Sequence, residues 1–162
     1  EILRCLVGSE MCIRDSFNTV FLAFHSAQHY ALGFAMHHLC DWACLLKKQG
    51  LKIPEGVTDE RFLNMIYALT HLCNRYLGTE VLVMKGGEEL AENLLKEMLH
   101  PTYNINVPAT GKWGILVYKL KRMLHIHRLC DSVMRVSLVK WLWISVIQHV
   151  RFPQSIFRRT VS

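Results

Sequence analysis

The stretch that decides the fold runs from Phe17 to Leu46 and reads FNTVFLAFHSAQHYALGFAMHHLCDWACLL. It has no formally charged side chain before Asp41, yet it contains four histidines. At helical spacing, His25 and His29 lie on one face of a first helix. A second helix, beginning near residue 32, aligns a polar stripe made of His37, His38, Asp41, Cys44 and Lys48. The pattern predicts an apolar helical hairpin whose two polar stripes can face each other.

Burial of these polar groups limits the roles they can have. Moving an unpaired polar group into an apolar interior costs about 2–7 kcal/mol, so each side chain is expected to contact another polar group or a ligand. His25 and His29 form an H-x-x-x-H pair, which can hold a metal on one helical face. Nothing in the spacing requires Asp41, Cys44 or His71 to complete such a site. The sequence therefore favours a structural histidine–aspartate hydrogen-bond network, and no metal is predicted.

The rest of the chain predicts further helices. Thr58 or Asp59 can cap a helix that ends at Leu77, before Gly78. The next helix is expected to begin at Glu88 and Glu89 and to end before Pro101. A basic helix from Trp113 to Arg128 is expected to bury Leu116, Leu120, Met123 and Leu124, and residues 132–150 form the last helix. At 162 residues with 51% hydrophobic residues, the fold class is mostly α, a bundle-like domain of five to six helices.

Charge divides the chain into two parts. Through His100 there are 9 Lys/Arg and 12 Asp/Glu, whereas from Pro101 onward there are 10 Lys/Arg and only Asp131, a net charge of +9. The predicted organisation is a helical domain over residues 17–100 and a basic helical extension over residues 101–158 that packs on it. Six cysteines without a C-x-x-C pair indicate reduced thiols in a cytoplasmic protein.

The first residues do not fit this organisation. The segment from Leu6 to Ser16, LVGSEMCIRDS, resembles a translated sequencing adapter. Residues 1–16 are therefore excluded from functional interpretation as a non-native segment. If the adapter replaced genuine sequence, the natural protein is expected to begin upstream, and this chain is its C-terminal piece.

The stretch that opens this region carries a family resemblance. The F-N-x-V-F opening at residues 17–21, His25, the pair His29-Tyr30 and the Cys-Asp-Trp-Ala box at residues 40–43 are similar to the C-terminal part of an uncharacterised bacterial nucleotidyltransferase family. Members of that family are often encoded among genes for surface polysaccharide synthesis. The family tends to place arginine ahead of the box, where this chain has His37.

The resemblance implies a non-catalytic helical part that supports or covers the active site of a catalytic half N-terminal to it. That half would supply a D-x-D pair holding Mg²⁺ and a nucleoside triphosphate, neither of which this fragment is expected to bind by itself. No catalytic residue is predicted here, and the fragment is expected to be inactive alone. The partners implied are the catalytic domain, a nucleotide and a sugar or polysaccharide acceptor. The residues implied to face that site are His25, His29, His37, Asp41 and Trp42.

Two alternatives from other classes stay open. The basic second half could make the chain a self-contained module that binds RNA or an acidic membrane surface, although neither is expected under the family interpretation. Arg122 and His127 match the R-x4–6-H spacing of HEPN-type helical ribonucleases, a short pattern that also arises by chance. RNA cleavage lost in Arg122→Ala and His127→Ala would identify that activity.

Overall fold

The computed structural model describes residues 17–30, 33–103, 111–135 and 137–151. All regular secondary structure in these residues is helical, which confirms the mostly α prediction. The segment assigned to an adapter, most of the polar loop after Tyr103 and the tail from residue 152 lie outside the described residues. The helices are α1 (residues 17–30), α2 (Met36–Gln49), α3 (Glu60–Leu77), α4 (Glu88–Leu99), α5 (Lys112–Val133) and α6 (Leu138–Arg151).

Helix α3 lies at the centre, packed against α2, α4 and α5. Both of its ends are set by the residues that the sequence indicates. The Asp59 carboxylate accepts hydrogen bonds from the backbone N–H groups of Arg61 and Phe62, at 2.9 and 3.3 Å. Gly78 ends the helix in the left-handed conformation, with φ of 59°. The predicted cap and stop of this helix are therefore confirmed.

The core surrounds α3 and draws on most of the other helices. Trp42 is fully buried, and its indole N–H donates a 3.1 Å hydrogen bond to the Thr70 hydroxyl on α3. Other apolar side chains buried to at least 98% are Ala23, Ala27, Leu39, Leu46, Met65, Ile66, Ala68, Leu69, Leu72, Cys73, Leu94 and Val133. Because α3 contributes the largest share, the bundle is organised around this helix.

Helices α1 and α2 form the predicted hairpin. The Gln49 side chain at the end of α2 donates a 3.3 Å hydrogen bond to the Thr19 hydroxyl near the start of α1. At the other end, the rings of His29 and His38 lie 4.5 Å apart between centroids. The two helices are therefore antiparallel, with the histidines near the turn that connects them.

The approach of α4 to α3 depends on Gly87. This residue has φ of 84°, and a Cβ built on it would lie 2.6 Å from the backbone nitrogen of Ala68. Asn74 fixes the preceding loop, since its amide group donates to the Val81 carbonyl at 2.7 Å and accepts from the Val81 N–H at 3.0 Å. The start of α4 therefore lies directly against the backbone of α3.

Helix α5 turns a different face to the bundle from the predicted one. Leu116, Leu120 and Leu124 were expected to be buried, but they are 41%, 52% and 41% exposed. The buried side chains of this helix are Ile115, Ile126 and Val133. The prediction for the three leucines was wrong because α5 has apolar side chains on two faces, so helical spacing does not determine which face meets α3.

Helix α5 is attached to the bundle at its C-terminal end. The Arg61 guanidinium donates a 2.6 Å hydrogen bond to the Asp131 carbonyl and lies 3.2 Å from the Asp131 carboxylate. Helix α5 also extends five residues beyond the predicted Arg128, to Val133.

Among the described residues, no helix has the length and apolar character needed to cross a lipid bilayer.

Candidate functional site: a histidine cluster

The hairpin brings three histidines together, and we call His25, His29 and His38 the histidine cluster. His25 and His29 are four residues apart on α1, so they lie one turn apart on the same face. His38 lies in the first turn of α2, which begins where the chain returns towards α1. The cluster therefore depends on both helices of the hairpin.

The three rings are in mutual contact. Their centroids are 4.6 Å apart for His25 and His29, 4.5 Å for His29 and His38, and 5.4 Å for His25 and His38. One ring nitrogen from each lies within 4.8 Å of the corresponding atom of the other two. The sequence correctly places His25 and His29 on one face, but it does not show that His38 joins them.

His38 is held more firmly than its two neighbours. It is only 2% exposed, whereas His25 and His29 are half-buried. Its Nδ1 lies 3.1 Å from the Ala35 backbone nitrogen and 3.2 Å from the Ala35 carbonyl oxygen. Its Nε2 is buried and has no hydrogen-bond partner within the described structure. One ring nitrogen is thus anchored to the backbone while the other is unsatisfied.

The surroundings of His29 and His38 favour the neutral form of both imidazoles. Burial is the largest influence on His38 and lowers its pKa. The Ala35 hydrogen bond, next in size, raises this pKa, and the neighbouring His37, His29 and His25 lower it. Burial also lowers the pKa of His29, with His25 and His37 contributing. A cluster of like groups is poorly suited to holding several positive charges. Neutral rings leave a nitrogen lone pair available on each side chain.

His37 and Asp41 occupy the solvent side of α2. Both side chains are exposed, and the ring of His37 lies 3.9 Å from that of His38 between centroids. Across the described part of the chain, the Asp41 carboxylate makes no hydrogen bond or ion pair. The two side chains are four residues apart, so they share one exposed helical face beside the histidine cluster.

Trp42 has a different position from the other implied site residues. It is 0% exposed and packs in the core against α3, with its N–H bonded to Thr70. Its ring therefore contributes to packing of α2 on α3. His71 is also apart from the cluster, with Nε2 3.1 Å from the Gly86 carbonyl oxygen.

A second polar region was not indicated by the sequence. A cleft of about 710 Å³ lies between the start of α4 and helix α5. His125 Nε2 lies 3.2 Å from a Glu97 carboxylate oxygen inside it, without hydrogen-bond geometry. Burial and, to a lesser extent, Glu97 raise the pKa of Tyr30 at the edge of this cleft to about 12. Glu97 and His125 are 28 positions apart, so only the packing of α5 beside α4 brings them together.

Comparison with protein-family models, with curated protein sequences and with solved structures finds no match to this chain. The chemistry open to the histidine cluster is inferred from its own geometry. Three converging imidazoles can accept protons, donate and accept hydrogen bonds, or ligate a metal ion.

Proposed function

We propose that this chain is the non-catalytic helical part of a nucleotidyltransferase-type protein, which packs against a catalytic domain and covers its active site. The resemblance of residues 17–46 suggests the identity of that domain. The observation that carries the proposal is an apolar surface that the described structure leaves uncovered. The same proposal places the chain in the cytoplasm and, with surface polysaccharide synthesis, implies a sugar or polysaccharide acceptor.

The uncovered surface is centred on α5, and we call it the outward stripe. Trp113 is 79% exposed, and Leu116, Leu120 and Leu124 follow it at intervals of three and four residues. This spacing keeps the side chains on one helical face. Since contiguous exposed apolar patches of this kind mark sites of association, we expect another surface to cover the stripe.

Helix α6 has the same pattern. Val139, Trp143 and Val150 are 77%, 67% and 75% exposed, at intervals of four and seven residues. Aromatic residues are enriched in the cores of protein–protein interfaces. A tryptophan exposed on each of two successive helices is therefore consistent with a surface that a partner covers. Helices α5 and α6 therefore each offer an exposed apolar face.

Charge supports a nucleotidyltransferase domain as the covering surface. The region after His100 has a net charge of +9, and its single acidic residue, Asp131, is already paired with Arg61. An active site built on a D-x-D pair presents carboxylates and binds polyphosphate. A basic neighbour is complementary to both, which favours association and correct orientation.

Under this proposal, the exposed face of α2 lines the nucleotide site. His37 and Asp41 are accessible and share one face, so the imidazole can contact a phosphate oxygen and the carboxylate can accept from a sugar hydroxyl. His25 and His29 border this face. Trp42 contributes through packing only, since it is enclosed in the core.

The test is nucleotidyl transfer by this chain alone and by a longer polypeptide with a catalytic domain preceding Phe17. Labelled nucleoside triphosphates and Mg²⁺ are supplied to both, with released pyrophosphate as the readout. Transfer is expected only for the longer polypeptide, and Leu120→Glu/Leu124→Glu is expected to reduce it at least tenfold. Lys121→Glu, an exposed position on another face of α5, makes the same change in net charge, and the double leucine variant is expected to reduce transfer more than Lys121→Glu does. Transfer by the chain alone, or an unaffected double variant, would overturn the proposal.

An acidic membrane surface is the second candidate, because α5 and α6 each carry an exposed tryptophan and α5 also carries the exposed Lys121 and Arg128. Co-sedimentation with phosphatidylserine vesicles, compared with phosphatidylcholine vesicles, distinguishes a membrane partner from a catalytic domain. Salt-sensitive binding to the anionic vesicles that is lost in Leu120→Glu/Leu124→Glu would favour the membrane. No binding to either vesicle leaves the catalytic domain as the better-supported partner.

A further inference from the structure

We infer that His25, His29 and His38 together bind one divalent transition-metal ion, with zinc as the type of ion they fit best. Three imidazole ligands with a fourth position open to solvent are an established zinc arrangement. The inference is independent of the proposed function, because it rests on the hairpin alone. The sequence favoured a structural network instead, since the two facing stripes did not single out His38 as a third ligand.

The distances fit a site that closes around an ion. At zinc–nitrogen distances of about 2.1 Å, two nitrogens in a tetrahedral site are about 3.4 Å apart. One ring nitrogen of each histidine in the cluster lies within 4.8 Å of the corresponding nitrogens of the other two without any ion. His25 and His29 are half-buried and can turn at their side-chain torsions, so shifts of about 1 Å suffice.

The environment of His38 is the second, independent observation. Its Nε2 is buried without a hydrogen-bond partner, which is destabilising in a purely structural role. Its Nδ1 lies 3.1 Å from the Ala35 nitrogen and 3.2 Å from the Ala35 carbonyl oxygen. Metal binding selects the tautomer in which Nδ1–H donates to the carbonyl, because only that tautomer leaves the Nε2 lone pair free. Donation of the second ring nitrogen to a backbone carbonyl is the usual arrangement of a metal-bound histidine.

The ligand type determines which ions fit. Imidazole nitrogen suits Zn²⁺, Cu²⁺ and Ni²⁺, whereas Mg²⁺ and Ca²⁺ prefer oxygen ligands. Metal ions bind the neutral form of histidine. The exposed thiols of Cys40 and Cys44 are one helical turn apart and could bind zinc separately, so a test has to remove them.

The test uses the full chain with Cys5, Cys12, Cys40 and Cys44 replaced by serine, stripped of metal with EDTA. Isothermal titration with Zn²⁺ is expected to show one ion per chain, with a Kd on the order of 1 μM or lower. His25→Ala and His29→Ala are each expected to weaken binding about tenfold or more. His100→Ala, an exposed histidine at the end of α4, is the matched control and is expected to bind as the parent does.

Thermal unfolding keeps the test decisive if a variant folds poorly. Zinc is expected to raise the Tm of the parent and of His100→Ala, while Mg²⁺ at the same concentration does not. Circular dichroism establishes whether the His25 and His29 variants retain their helices. A parent that binds no zinc, or a folded His25→Ala/His29→Ala variant that binds it as tightly as the parent, would show that the three histidines only contact one another.

Discussion

At the scale of single residues, the same side-chain types have opposite roles in this chain. His38 is enclosed beside His29, whereas His37, its neighbour in sequence, is exposed. Trp42 is fully buried, whereas Trp113 is mostly exposed. Helical spacing assigns relative positions within one helix, but burial depends on what the neighbouring helix places opposite. The role of each residue therefore follows from its contacts.

The Trp42–Thr70 hydrogen bond is expected to contribute measurably to stability. Thr70→Val keeps the shape of the side chain but leaves the buried indole N–H without an acceptor, so we expect a loss of about 1–3 kcal/mol in the free energy of unfolding. Urea denaturation measures this change. In a Trp42→Phe background no indole N–H remains, and the same Thr70 substitution is expected to cost much less. Equal losses in the two backgrounds would contradict the role of this hydrogen bond.

The histidine cluster is expected to make stability depend on pH. The folded-state pKa values of His29 and His38 lie below the ordinary value of 6.5, chiefly through burial. As the pH falls through about 6.5, the unfolded chain takes up protons that the folded chain does not, so stability decreases. The contribution of the two neutral histidines to stability is fully present above that pH.

The measurement is the Tm between about pH 7.5 and about pH 5.5, in a chelating buffer. His29→Gln and His38→Gln are expected to reduce the dependence of the Tm on pH, since glutamine does not titrate in this range. His100→Gln, at an exposed position, serves as the control and is expected to leave it unchanged. A Tm that stays constant or rises on acidification would contradict the lowered pKa values.

At the scale of helices and loops, the ends of α3 and the packing of α4 have local causes. Asp59 and Gly78 set the limits of α3 through a cap and a left-handed residue. The start of α4 approaches Ala68 so closely that only glycine fits at residue 87. The sequence shows the Asp59 cap and the Gly78 stop directly. It shows Gly86-Gly87 only as a break in the chain, since the close approach depends on α3.

Gly87→Ala is expected to destabilise the protein by about 1–3 kcal/mol. The added Cβ would meet the Ala68 backbone at 2.6 Å, and the φ of 84° is unfavourable for alanine. Chemical denaturation of the purified variant measures the loss. Gly56→Ala is the matched control, because nothing lies within 4 Å of its Cβ position, and its effect is expected to be small. Similar stabilities for the two variants would contradict the close packing of α4 on α3.

At the scale of the whole molecule, apolar surface is distributed unevenly. The half around α3 is packed with α2 and α4, whereas α5 buries one apolar face and exposes the other. A helix that is apolar on two faces is common where both are covered. This asymmetry is the basis for proposing a covering domain.

The two faces of α5 are expected to respond differently to charge in the isolated chain. Leu120→Glu/Leu124→Glu places carboxylates on the outward stripe, so its effect on the free energy of unfolding is expected to stay within about 0.5 kcal/mol per site. Ile126→Glu buries a charge at a position only 8% exposed and is expected to cost about 3 kcal/mol or more. Thermal unfolding compares the variants. If both lower the Tm equally, the outward stripe belongs to the core of this chain.

The sequence by itself determined the helical class, the hairpin of α1 and α2, both ends of α3 and the shared face of His25 and His29. Each depends on spacing or capping within a few residues, so local pattern is sufficient. Only the tertiary structure decided that His38 joins the other two histidines, that Trp42 is enclosed, and which face of α5 is exposed. All three depend on how separate helices pack. Because α5 has apolar side chains on two faces, its helical spacing is compatible with either face being buried.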